Sequence, residues 1–183
     1  MNRTIIQLVG ESGSGKSESA KYLCKYGFDP LEVSEAIWDW ASHRGIDLAG
    51  RQDYMEAHAQ IVREVGKQAM TDAILDSTSD RICIDGSLVP ANANFLRTYG
   101  VIIALDCSLE IRHPRLMKRR GPLDRISAVD LRSFEEAESR NSDPYTQNTR
   151  VVMAAADYHV NSAQPLPWVR LALDQIIAPH IMA

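Results

Sequence analysis

Cysteine is scarce in this chain. The three present, Cys24, Cys83 and Cys107, are odd in number and widely spaced. That excludes a disulfide framework, a zinc-ligand spacing and a Cys-x-x-Cys redox pair, and leaves them to be read as reduced core residues of a cytoplasmic protein. Long hydrophobic runs are missing as well: the apolar stretch after Met1 is too short for a signal-peptide core, and no segment elsewhere has the length to span a bilayer. Nor is there an excess of basic charge. Twenty Lys and Arg against 24 Asp and Glu give a net charge of −4, which argues against a broad basic face as the main source of affinity for nucleic acid while leaving room for a local basic groove. Internal repeats and low-complexity segments are absent too.

What is there is an ordinary globular composition, 45% hydrophobic and 24% charged over 183 residues, enough to bury the core of one domain. Apolar runs bounded by Gly, Asp or Asn predict strands at Ile5–Val9, near Phe28–Val33, and at Ile82–Ile84, Val101–Leu105 and Tyr158–Val160. Short, nearly continuous runs of this kind suit a parallel sheet covered on both faces. Between them, Ile61, Val65, Ala69 and Ala73 recur every four residues and predict one long helix over 52–77. Further helices are expected at Lys16–Lys25, Ser34–His43, Ala91–Arg97 and Trp168–Ile177. Alternating strands and helices mean a three-layer α/β/α fold with right-handed crossovers. Arg44–Gln52 and the charged Arg119–Tyr145 break this rhythm and read as flaps at the sheet edge.

Gly10-Glu11-Ser12-Gly13-Ser14-Gly15-Lys16-Ser17 matches G-x-x-x-x-G-K-[ST] without a mismatch, after a predicted strand and opening a predicted helix. The glycines let successive amides point at phosphate oxygens, and the helix start adds its positive dipole end. Lys16 is expected to span the β- and γ-phosphates of ATP, and the Ser17 hydroxyl to ligate Mg²⁺. The ATP-binding set is therefore Glu11, Ser12, Gly13, Ser14, Gly15, Lys16 and Ser17. Asp85, ending the strand Ile82–Ile84, is the candidate second metal-side carboxylate; alternatively Asp85-Gly86 ends the strand with a turn. Arg112, Arg115, Lys118, Arg119, Arg120 and Arg125 crowd into fourteen residues. A closing flap of this charge would neutralise a transferred phosphoryl group, with Arg119 and Arg125 as the expected contacts and Arg132 and Arg140 as weaker ones; a solvated helix face is the alternative. Pro114 is expected to start or kink its helix.

Gly10–Ser17, Asp85-Gly86, the arginine-rich segment and Ala156-Asp157-Tyr158-His159-Val160-Asn161 together resemble the nucleoside monophosphate kinase group, in particular its deoxynucleoside monophosphate kinase, archaeal adenylate-kinase-like and dephospho-coenzyme A kinase branches. The resemblance covers nearly the whole chain, though only the phosphate loop is highly specific. It implies a P-loop kinase fold with a five-stranded parallel sheet in a single domain over 1–183. It also implies an acceptor-binding flap at about 34–65, an Arg-rich lid at about 119–140, an adenine-side loop after Asn161, and Arg119 or Arg120 stacked on the adenine.

Two departures bear on the acceptor. Such kinases tend to place a phosphate-holding arginine in the first acceptor helix, where this chain has Trp38, and another close after Asp-Gly, where it has Ser87-Leu88-Val89-Pro90. Arg44, Arg51 or Arg63 would have to substitute. A phosphate acceptor needs positioning, whereas a hydroxyl acceptor gains from a carboxylate base. Glu35 and Asp39, one turn apart, are candidates for that base or else ordinary helix-start acids. Of Trp38 and Trp40, which face different sides of a helix, one belongs in the core and the other could stack on a base.

The expected function is an ATP- and Mg²⁺-dependent kinase of a nucleotide-type acceptor, most simply a (deoxy)nucleoside monophosphate, in a cytoplasmic monomer or homodimer. One alternative is a kinase of hydroxyl acceptors such as hydroxymethyl-pyrimidines in DNA. The other is a nucleotide-binding module without catalysis, although no Asn-Lys-x-Asp base-reading signature is present.

Overall fold

The structure is a computed structural model that describes residues 3–66, 69–76, 79–86, 89–119 and 124–181. Five strands, β1 (Thr4–Val9), β2 (Asp29–Glu32), β3 (Arg81–Asp85), β4 (Gly100–Asp106) and β5 (Tyr158–Asn161), pair in parallel in the order β2-β3-β1-β4-β5. Parallel pairing demands crossovers, and helices provide them: α1 (Lys16–Leu23), α2 (Val33–His43), α3 (Arg51–Val65), α4 (Ala69–Asp76), α5 (Pro90–Leu96), α6 (Leu109–Arg119), α7 (Ala128–Ser139) and α8 (Thr149–Ala154), with α9 (Leu166–Ile181) following the last strand.

Strand alternation divides the core into the two layers that the apolar runs imply. On one face Ile5, Val9, Ile82, Ile84, Ile102 and Ala104 pack with Val33, Ile37 and Ala41 of α2 and Ala57 of α3. On the other, Ile6, Leu8, Cys83, Val101, Ile103 and Leu105 pack with Leu23 of α1 and Val169, Leu173 and Ile177 of α9. Successive side chains on a strand point to opposite faces, so an uninterrupted apolar strand serves both layers.

The connection leaving β1 runs to one side of the sheet, while that leaving β3 crosses β1 to reach β4. The chain therefore diverges above the carboxyl ends of β1 and β3, where such sheets open a ligand crevice. Leu8 pairs with Asp85 across these strands and Glu32 with Asp85 on the next, so both acidic strand ends meet the loop that follows Val9.

Three expectations need correction. The helix expected over 52–77 is two helices, because Gly66 at φ +94° breaks the run after its N–H bonds the Val62 carbonyl. Pro114 does not break α6: the first turn is anchored by Ile111 and Arg112 N–H on the Ser108 carbonyl, and a proline this early forfeits only one further intrahelical bond. The stretch 119–145 contains a regular helix, α7, capped by Ser127 Oγ accepting from Asp130 N–H at 3.1 Å and anchored by fully buried Leu131. Arg120, expected beside the adenine, lies outside the described residues. Cys83 is buried as expected, but Cys24 is exposed and Cys107 half-buried, all three as free thiols. Among the described residues no helix is long and apolar enough to cross a membrane.

Candidate active site

The loop between β1 and α1 is shaped by two glycines in the left-handed region, Gly13 at φ +82° and Gly15 at φ +99°. At Gly13 space is as restrictive as conformation: a Cβ would lie 2.8 Å from the Arg112 carbonyl oxygen, so only glycine lets α6 pack this close. Gly15 is the N-cap of α1 and aims the free amides of the first helical turn into the loop. Ser14 Oγ is buried there with no hydrogen-bond partner among the described residues, a polar group that a phosphate oxygen would satisfy. Lys16 Nζ donates to the Gly10 carbonyl at 2.8 Å. Burial lowers its pKa from the usual lysine value, and the opposing attraction comes from Asp85. Burial raises the pKa of the Asp85 carboxyl, against the pull of Lys16 and a hydrogen bond with Ser17.

A hydroxyl and a carboxylate side by side are hard oxygen donors suited to Mg²⁺, which takes one or two protein ligands and completes its shell with water and substrate phosphate. Among the described residues no cluster of three or more His, Cys, Asp or Glu offers a fuller cage. Ser17 and Asp85 therefore fit a metal carried in with a phosphorylated substrate.

A buried arginine organises this loop from behind. Arg112 of α6, 2% exposed, donates to both carboxylate oxygens of Glu135 on α7, at 2.8 and 3.0 Å. It also donates to the Ser12 carbonyl at 2.8 Å, to the Cys107 carbonyl at 2.9 Å and to the Glu11 carboxylate. Glu11 is held on its other oxygen by Arg150 of α8 at 3.1 Å. Loop, α6, α7 and α8 thus share one ionic network. Arg112 was one of six cations expected on a mobile flap; its burial makes it a strut instead.

In front of the loop lies a cavity of about 550 Å³. Its loop side carries Lys16, Arg51, Arg119 and Arg150, contributed by four different helices. Arg51 of α3 donates to Ser12 Oγ at 3.0 Å, while its Nε is buried without a partner among the described residues. Arg119 grips buried Asp124 through two bonds of 2.7 and 2.6 Å while its own side chain is 60% exposed, so Asp124 anchors this arginine where it lines the cavity. The far side is different. Ile37 and Trp38 of α2, Tyr54, Met55 and His58 of α3, and Phe134 of α7 line it, with Trp38 and Tyr54 rings 6.5 Å apart. Glu32 stands between the two halves, accepting from Ser34 Oγ at 2.8 Å.

The structure brings together Glu11, Ser12, Gly13, Lys16, Ser17, Trp38, Arg51, Asp85 and Arg119 of the sequence-derived candidates around this one cavity. Others fall outside its lining. Glu35 and Asp39 are exposed on α2, because the turn of that helix spends Val33, Ile37 and Ala41 on the core; the Asp39 carbonyl bonds His43 instead. Arg44 pairs with Glu64 at 2.9 Å and stacks 4.3 Å from the Trp40 ring. Arg63 and Arg125 are exposed away from the cavity, and Arg132 pairs with Glu110. Asn161 ends β5 outside the lining, its Oδ1 accepting from Ala163 N–H at 3.0 Å. Sequence reasoning passed over Glu32, Arg150, His58, Tyr54 and Phe134. Glu32 was findable, since it ends its strand as Asp85 does. Arg150 had no local signal, because its place comes from the packing of α8.

A model for the family described as an AAA domain matches residues 9–131, two thirds of the chain and the whole stretch from the phosphate loop to α7. The chain belongs to that family. More narrowly it is a P-loop kinase similar to the nucleoside monophosphate kinases. It is 31% identical over 142 residues to a UPF0200 protein of Methanosarcina barkeri, covering 73% of this chain and 76% of that one. It is 29% identical over 118 residues to cytidylate kinase of Pyrococcus abyssi, covering 64% of this chain and 61% of that enzyme. In fold it resembles shikimate kinase from Acinetobacter baumannii, with a TM-score of 0.59, 20% identity and coverage of 97% and 94%. The relatives with a named activity are kinases, and this P-loop kinase is a phosphotransferase.

Proposed function

We propose that this kinase transfers the γ-phosphoryl group of ATP to a nucleotide-type acceptor, most simply a (deoxy)nucleoside monophosphate diffusing in the cytoplasm. The observation that carries the reading is the convergence of Lys16, Arg51, Arg119 and Arg150 on the mouth of the phosphate loop, in one cavity with the aromatic residues Trp38, Tyr54 and Phe134. Phosphoryl transfer needs positioned cations more than covalent chemistry. In this reading the backbone from Gly10 to Ser17 cradles the phosphates of ATP. Lys16 leaves the Gly10 carbonyl for the β- and γ-oxygens. Mg²⁺ at Ser17 and Asp85 supplies neutralising charge on the phosphates when bound. Arg51, with its unpartnered Nε, takes the place of the missing acceptor clamp, and Arg119 and Arg150 neutralise the group in flight. Trp38 and Tyr54 hold the acceptor ring. On the adenine side, Arg119 or Arg120 and the loop after Asn161 are the proposed contacts. The cytidylate kinase activity named for a relative supports a monophosphate acceptor.

One observation favours a second reading. Glu32 places a carboxylate, with Ser34 bonded to it, where the slot meets the phosphate loop. A carboxylate there repels an anionic acceptor but would take the proton from a hydroxyl as it attacks, which suits a nucleoside or a hydroxymethyl-pyrimidine, including one within DNA.

ATP consumption across monophosphates, nucleosides and hydroxymethyl-containing DNA tests both. Turnover on monophosphates alone supports the first reading, and turnover on hydroxyl acceptors alone replaces it with the second. Tight ATP binding without turnover on any acceptor overturns both.

A further inference from the structure

His58 is the polar residue that this account leaves unused. It lines the cavity from α3, next along that helix to Tyr54 and Met55; Glu135 and Glu138 line the same cavity from α7, but burial alone shifts the His58 pKa, with no charged group contributing. Among the described residues its imidazole has no hydrogen-bond partner, and burial among these side chains lowers its pKa from 6.5, keeping it neutral. A neutral imidazole offers one donor and one acceptor. Arg51, Tyr54 and His58 follow each other at helical spacing on a single face of α3. Arg51 touches the phosphate loop through Ser12, and His58 lies seven positions further along, about 10 Å at 1.5 Å per residue. The slot thus has a charged end at the loop and an uncharged, hydrogen-bonding end two turns away.

We infer that His58 is a specificity-determining residue that reads the polar edge of an uncharged heteroaromatic ring, and that the acceptor separates this ring from its phosphoryl-receiving group by a sugar-sized spacer. The ring lies against Trp38 and Tyr54, and its edge, bearing a donor and an acceptor, meets the His58 nitrogens. An acceptor with a second phosphate at its distal end meets no cation there among the described residues and is disfavoured. A hydroxymethyl group attached directly to the ring leaves too short a molecule to touch both ends.

The inference rests on the reading that the slot takes a ring-bearing acceptor, and the test separates the two. Quenching of Trp38 fluorescence by unphosphorylated nucleosides, corrected with Trp38→Phe, reports ring binding without turnover. Steady-state kinetics with monophosphates of each base then report KM and kcat. His58→Phe is expected to weaken the best-bound nucleoside by about tenfold and raise the KM of the matching monophosphate equally. Its kcat and the KM for ATP should stay within twofold, and His58→Gln, which keeps a neutral donor and acceptor, should restore discrimination. Nucleoside binding that depends on His58 in an enzyme inactive on monophosphates would uphold the inference and sink the monophosphate reading. Equal binding of all bases by wild type and His58→Phe, or no nucleoside binding at all, would overturn the inference.

Discussion

The two halves of the cavity are built on opposite plans. The phosphate-loop half is contiguous in sequence, dense in charge and braced by the Arg112–Glu135 pair behind it. The acceptor half is assembled from α2, α3 and α7, which line it with rings and His58; α7 ties it to the loop half, because Phe134 adjoins Glu135 and lies 5.7 Å from the Arg51 guanidinium. The first is a preorganised electrostatic device and the second a shape to be filled. This contrast explains why the kinase chemistry is easy to assign and the acceptor is not. It also predicts that damage to the loop half is expressed in kcat and stability, and damage to the slot in acceptor KM.

The sharpest break comes from Lys16→Ala, which removes the cation at the transferring phosphate. We expect kcat to fall by about 10³-fold with the acceptor KM little changed; steady-state kinetics check this, and a loss under tenfold would deny the loop half its catalytic role. Arg112→Met is next. Removing one partner of a buried ion pair costs about 3–5 kcal/mol, so melting should shift down by about 10 °C in thermal unfolding, whereas an equal truncation of exposed Arg132 should not move it.

Glu32→Gln sits at the boundary between the halves. With a hydroxyl acceptor it should reduce kcat by about 10²-fold or more, and with a monophosphate it should leave kcat within tenfold or raise it; one variant assayed on both substrates divides the readings. His58 makes a smaller, pH-dependent contribution. Its folded pKa lies below 6.5, so between that value and 6.5 the unfolded chain binds more protons than the folded one. Its contribution is therefore intact at higher pH and declines as pH falls below about 6.5; chemical denaturation of wild type and His58→Phe should show the variant losing less stability on acidification. The smallest effects are expected at Glu35, Asp39 and Arg125, where Gln, Asn and Ala replacements should change kcat/KM by less than about threefold, as befits exposed residues away from the cavity.

Legibility followed the same division. Strands announced themselves because each serves two core layers and so is apolar throughout, and Gly10–Ser17 announced itself because amides that wrap a phosphate need small residues in a fixed order. The helix over 52–77 was misread because its four-residue periodicity continues past Gly66, and only the φ of that glycine ends it. Glu35 and Asp39 looked like acceptor-side acids until the rotation of α2 committed its inward face to Val33, Ile37 and Ala41. Arg112 looked like one flap cation among six. Its role depends on Glu135, twenty-three residues away, and on a glycine that lets α6 lie against the loop.

By itself, then, the sequence determined the α/β layering, the phosphate loop and the acidic end of β3, since each is set by local pattern and backbone preference. The tertiary structure alone decided which arginines face the loop and which are tied up as Arg44 is with Glu64. It also decided that Glu32 and His58 line the same cavity as the phosphate loop. Those facts depend on helix rotation and on pairs distant in the chain, which no periodicity records.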